Sequence, residues 1–159
     1  MKPLIYLDTS IISYLTAPLS RDLIIAAHQQ ITQEWWMTES GSYELYVSEL
    51  VWDEVQEGDA KEARKRLDLI NPFTVLPLNE VAETLGQTFI QKHALPTKAI
   101  TDALHIAIAT VHGMDYLMTW NLKHMVNPVI QKSLRRIIEA NGYNMPTICT
   151  PEVLLRGEK

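Results

Sequence analysis

The stretch KPLIYLDTSIISYL, residues 2–15, changes character at its midpoint. Leu4, Ile5, Tyr6 and Leu7 form an apolar run of strand length, IISYL has the look of a helix start, and Asp8, Thr9 and Ser10 stand between them. A core strand that ends on a carboxylate and two hydroxyls has two readings. Asp8 can cap the following helix by accepting from its first free amides. It can also be one part of a metal site placed at the strand's end.

Four further runs resemble that first strand, which spans residues 3–8. They lie at 43–48, 73–77, 115–119 and about 146–149, read as YELYVS, FTVLP, DYLMT and the weaker PTIC. Helical patterns fill the intervals, and strands alternating with helices specify an α/β domain with a mostly parallel sheet under helices. Punctuation agrees. Ser40-Gly41 ends RDLIIAAHQQITQEWWMTE, and Gly113 closes KAITDALHIAIATVH. Asn79 is placed to cap a helix over 79–93. Asn127 precedes Pro128 as cap and first helical residue, and Gly142 stops that helix about four turns later.

With 47% apolar and 21% charged residues in 159, the chain reads as one domain, 1–159, with an ordinary core and no repeat or linker. No run is long enough for a signal peptide or membrane span, so a cytoplasmic location without membrane association is expected. Cys149, the single cysteine, excludes an internal disulfide and a thiolate-rich zinc site. A net charge of −5 argues against a general polyanion binder, but a few carboxylates holding a divalent ion can still meet phosphate locally.

Ligands of parallel α/β sheets bind beyond the carboxyl ends of the strands. Asp8 ends the first strand. Glu54 lies about one and a half turns into the helix after the second, taking Ser48 as its cap. Asp102 stands in a helix whose other faces carry Ala99, Ile100, Ala103, Leu104, Ile106, Ala107, Ile108 and Ala109. Such a helix is buried, and a buried carboxylate needs a partner. No Lys or Arg stands three or four residues on, where His105 and Ile106 are found. Taken singly, Asp8 reads equally well as a cap, and Glu54, among Glu49, Asp53 and Glu57, as a solvated helix residue. Together they place three carboxylates on one sheet edge. Two carboxylates about 4 Å apart repel by about 4 kcal/mol at an effective dielectric near 20. A hard divalent cation with oxygen ligands removes that cost, and Mg²⁺ or Mn²⁺ fits.

Four segments carry a family resemblance: YLDTSIISYL, VSELVWDEV, LPTKAITDALHIAIATVHGMDYLMTWN and the closing PTICTPEVL. The chain resembles the PIN domain family, and within it the VapC-like toxins of bacterial toxin–antitoxin pairs. DALHIAIA followed by YLMTWN is the most specific part. The resemblance implies a three-layer α/β/α domain with a central sheet of about five strands, and a divalent-metal-dependent ribonuclease with RNA as substrate. By position it assigns Asp8, Glu54 and Asp102 as acidic metal ligands. It assigns Thr9, Ser10 and Thr119 as hydroxyls that orient carboxylates or bound water. It also implies a homodimer and a cognate antitoxin. The chain departs from the family at Asn121, where the last acidic residue commonly follows the fourth strand. Asparagine keeps a carbonyl oxygen but gives up a charge, so weaker binding of a second metal is expected.

Other features read as structure. His105 is expected to be a hydrogen-bonded core histidine. The remaining histidines lack ligand spacing such as HExxH. Trp35-Trp36 suits packing better than base stacking, because adjacent helix residues point apart. Lys61, Arg64 and Lys65 in KEARKRL share one solvated helix face. One competing function is a catalytically degenerate PIN-like module that binds RNA or protein. Another α/β enzyme is disfavoured, since no GxxxxGK[ST] or GxGxxG loop occurs and Asp8 lacks a second Asp two residues later.

Overall fold

The computed structural model describes residues 1–155. Its centre is β1 (Leu4–Leu7), in which Ile5, Tyr6 and Leu7 are fully buried. An unbroken apolar run belongs in a strand covered on both faces, and parallel sheets supply such strands. The other strands are β2 (Glu44–Ser48), β3 (Thr74–Leu76), β4 (Tyr116–Met118) and β5 (Thr147–Cys149), all within the expected runs. They pair in parallel throughout in the order β3-β2-β1-β4-β5, with Tyr6 opposite Tyr46 on one side and Leu117 on the other.

The helices are α1 (Thr9–Thr16), α2 (Leu23–Glu39), α3 (Glu49–Val55), α4 (Ala60–Ile70), α5 (Glu80–Gln91), α6 (Ile100–Val111), α7 (Pro128–Ala140) and α8 (Pro151–Leu154). They form two packing groups, α1–α4 with α8 and α5–α7, which gives a three-layer α/β/α fold. Capping works as the sequence specifies. Ser48 accepts from the Val51 amide, Asn79 from Ala82, and Asn127 from Val129 and Ile130. Gly142, at φ +84°, and Gly113, at φ +72°, take the left-handed conformation beyond α7 and α6. The start of α2 falls later than the RDLIIAA reading, because Asp22 is its cap rather than a helical residue.

The chain moves from β1 outward through β2 to β3, then returns across the sheet to β4 on the other side of β1. The order of strands therefore reverses between β1 and β4, and a crevice opens beyond their carboxyl ends. Asp8 follows β1 and Thr119 follows β4, so both border that crevice. Trp35 is fully buried and Trp36 packs on Phe73, as the packing reading requires. Lys65 pairs with Glu62 and Arg64 with Asp68 on the exposed face of α4.

Candidate active site

Asp8 is the cap of α1, as the first reading of its position requires. Its backbone is extended, its amide donates to Met118 O at 3.2 Å, and Oδ1 accepts from the Ser10 amide at 3.0 Å as the cap of α1. Ser10 Oγ also donates to Oδ1 at 2.6 Å, while Thr119 Oγ1 donates to Oδ2 at 2.6 Å. Each hydroxyl is held in turn by an amide of the chain leaving β4: Trp120 N donates to Ser10 Oγ and Asn121 N to Thr119 Oγ1, both at 3.0 Å. The carboxylate is 5% exposed. Burial pushes its pKa up. The charge of His105 and the bonds from Ser10 and Thr119 pull it back without cancelling the rise.

Glu54 is gripped at one oxygen. Oε1 accepts from Thr9 Oγ1 at 2.8 Å and meets His105 Nε2 at 2.7 Å, whereas Oε2 takes no bond from the described residues. Burial pushes this carboxyl up, but the His105 bond and charge with the Thr9 bond outweigh it, and the net shift is downward. Its side chain is 27% exposed and that of His105 only 4%. The other ring nitrogen of His105, Nδ1, lies 2.6 Å from Tyr6 Oη, which lies 2.8 Å from Ser48 Oγ.

Asp102 stands in the first turn of α6. Its side chain is 24% exposed rather than fully buried, because it points off the helix toward the loop after β4. There Oδ2 meets His124 Nδ1 at 3.0 Å, so the partner that α6 lacks comes from another element. Asn121 Oδ1 accepts the His124 amide at 3.0 Å, and Asn121 O accepts the amides of Met125 and Val126. Its side-chain oxygen thus gives one lone pair to shaping the loop and keeps the other.

One hydrogen-bonded chain therefore runs from Asp102 through His124, Asn121 and Thr119 to Asp8. Glu54 joins the neighbouring residue Thr9. Five of the seven residues singled out in the sequence enter this chain, Ser10 among them through Asp8, while Thr9 and Glu54 form a separate pair; no hydrogen bond joins two of the three carboxylates directly. Among the described residues no three acidic, histidine or cysteine side chains lie close enough to share an ion. The donors still suit a hard cation. They are carboxylate oxygens with unused lone pairs, no thiolate is near, and no Lys or Arg of the described residues pairs with any of them. The buried Cys149 thiol is pushed up to about 12 by desolvation and offers no thiolate.

His105 and His124 are the site residues that spacing does not reveal. His105 is buried and hydrogen-bonded as expected, but its partners Tyr6 and Glu54 are 99 and 51 residues away. His124 follows Asn121 by three residues, and only the turn there brings it to Asp102. The other histidines stay apart: His28 stacks on Trp120 at 4.0 Å, and His112 bonds the Pro77 carbonyl. No helix of the described residues is long and apolar enough to cross a membrane.

Carboxylates beyond β1 and at the switch point of an all-parallel α/β/α sheet define a class of domain that presents acidic side chains along an open sheet edge. The PIN domain profile matches residues 5–123, and the chain belongs to the PIN domain family. PIN domains are nucleases that generally use divalent metals. By sequence, no curated protein matches. Among solved structures, the chain is similar to a chain of VapBC2 from Rickettsia felis, a complex bound to a DNA fragment from its promoter. The TM-score is 0.59 at 13% identity, covering 92% of this chain and 98% of that one. It is similar also to VapC20 of Mycobacterium tuberculosis, a Sarcin-Ricin loop cleaving toxin. There the TM-score is 0.59 at 13% identity, over 88% and 96% of the two chains. The shared fold is that of VapC toxins.

Proposed function

We propose that this chain is a divalent-metal-dependent endoribonuclease and the toxin of a toxin–antitoxin pair. The observation that carries the reading is the setting of Asp8: a buried carboxylate held by three hydroxyl or amide donors, with no Lys or Arg of the described residues paired to it. A group built to stay charged there is short of positive charge, and a bound cation supplies it. Asp8, Glu54 and Asp102 would hold Mg²⁺ or Mn²⁺. When bound, such an ion activates water and stabilises charge on a phosphodiester. Ser10 and Thr119 fix Asp8, Thr9 fixes Glu54, and Asn121 shapes the loop that carries His124 to Asp102.

Partners follow from the surface and the neighbours. Leu19, Leu23 and Ile24 are exposed before and at the start of α2, an apolar surface of the kind a protein partner covers. Because VapBC2 is a complex and VapC20 a toxin, an antitoxin is the partner proposed, alongside a second copy of this chain in a homodimer. Action in the cytoplasm, where RNA is met, belongs to the same reading.

The test is cleavage of a pool of structured cellular RNAs by the purified protein. Wild type with Mg²⁺ or Mn²⁺ should cut at discrete sites, and chelator or Asp102→Ala should abolish cutting. Cutting that survives Asp102→Ala would sink the site assignment. One observation favours a second reading. Asn121, neutral and committed to its own loop, suits a degenerate domain that binds RNA or protein without cleaving. A folded wild type that is inactive with metal, together with an Asn121→Asp variant that cuts, would establish that alternative.

A further inference from the structure

Four polar side chains run in file through the middle of the molecule: Ser48 at the end of β2, Tyr6 in β1, His105 in α6 and Glu54 in α3. Ser48 and Tyr6 are fully buried and His105 is 3% exposed. Only Glu54 reaches water. Charged or neutral, His105 donates Nε2–H to the Glu54 carboxylate, and with a neutral ring the rest of the proton arrangement is dictated. The Glu54 carboxylate can only accept, so Nε2 carries the hydrogen and Nδ1 must accept. Tyr6 then donates to Nδ1 at 2.6 Å, Ser48 donates to Tyr6 at 2.8 Å, and Ser48 Oγ accepts the Val51 amide at 3.2 Å. Ser48, Tyr6 and His105 each have a partner for every hydrogen they donate, and all donation runs toward Glu54 Oε1.

A core has no structural need of this arrangement. Apolar residues of similar volume at these positions would pack without any desolvation cost, and buried polar networks are at best weak contributors to stability. What the file does accomplish is local to Glu54. Two donors, His105 Nε2–H and Thr9 Oγ1–H, converge on Oε1 from opposite ends of the sequence, and nothing is donated to Oε2. We propose that His105, backed by Tyr6 and Ser48, is a positioning residue that locks the Glu54 carboxylate by Oε1 and leaves Oε2 as the oxygen presented to a divalent cation. The inference rests on the metal-nuclease reading and names which residues outside the acidic set make it work. A histidine that orients a carboxylate in this way reverses the commoner arrangement, in which a carboxylate orients a metal-bound histidine.

Direct measurement of Mn²⁺ binding, by paramagnetic resonance of the free ion, separates this role from mere packing. His105→Phe keeps ring volume and removes the donor. His105→Gln keeps an N–H close to the place of Nε2. Against wild type, Phe should weaken Mn²⁺ binding by about tenfold, the lower end of what such supporting groups contribute. Gln should recover most of that loss, even if the two variants melt at the same temperature. With RNA, the Phe variant should lower kcat at saturating Mn²⁺ and leave KM within about twofold. Tyr6→Phe and Thr9→Val, each removing one hydroxyl, should give smaller losses in the same order, and they carry the test if His105→Phe does not fold. A folded His105→Phe that binds Mn²⁺ like wild type overturns the proposal, as does a Gln variant no better than Phe. A wild type that binds no Mn²⁺ overturns the metal reading beneath it, which is a different result.

Discussion

Asp8 and Glu54 are one strand-end apart in function but opposite in electrostatic sign. Glu54 has a folded pKa below its ordinary 4.5. Its charge therefore adds stability that is fully present above about pH 4.5 and is lost as pH falls through the folded value. Asp8 has a folded pKa above its ordinary 3.8, so its charged form weakens the metal-free fold increasingly as pH rises through that window. Urea denaturation in chelator should accordingly show Glu54→Gln less stable than wild type at about pH 6, with the gap narrowing toward about pH 4. A gap that stays constant with pH would mean that Glu54 contributes only as a hydrogen-bond acceptor. Asp8 and Asp102 stood out in the sequence because charge at a strand end or in an apolar helix breaks a strong pattern, whereas Glu54, among Glu49, Asp53 and Glu57, was singled out only by its place after the second strand. His124 and the alliance of His105 with Glu54 were not, since neither lies at a diagnostic spacing and both depend on which elements meet in space. Nor could sequence tell that the Asn121 oxygen accepts the backbone amide of His124.

Among the helices, α5 and α6 share the most extensive contact, and Gly86 lies in it. A Cβ at that position would come within 2.9 Å of Leu104 Cδ2 and 3.5 Å of the Ala103 carbonyl. Leu104 is half-buried and that methyl is a side-chain end, so it can rotate aside. Gly86→Ala should thus be near neutral, since a gain in helix propensity of about 1 kcal/mol offsets the displacement. Gly86→Leu would drive further atoms toward the α6 backbone and should destabilise by roughly 1–3 kcal/mol, read as a lower urea midpoint. Because α6 carries both Asp102 and His105, separation of these two helices should also displace the acidic edge. Element boundaries were well predicted wherever a cap was written in the sequence, as at Ser48, Asn79 and Asn127. Asp22 was the exception, read as part of the helix it in fact caps.

At the scale of the whole molecule, alternation of apolar runs with helices specified the parallel sheet, but not its strand order. That order follows from one long crossover, β3 to β4 through α5 and α6, which carries the chain back past β1. Nothing local in residues 80–111 announces where the next strand will pair. Yet the jump is what sets Thr119 beside Asp8, residues 111 apart in sequence. The two halves of the sheet are stitched there by hydroxyls that accept hydrogen bonds from amides of the chain after β4 and donate their own to the carboxylate. Trp120 and Asn121 thereby become reporters of a charge they never touch. Neutralising Asp8 weakens the pull on both hydroxyls, and theirs on the amides. Deuterium uptake at these two backbone positions should be slow in the native protein and should quicken in Asp8→Asn while the β1 amides stay protected. The loop's clock would then be set by the carboxylate.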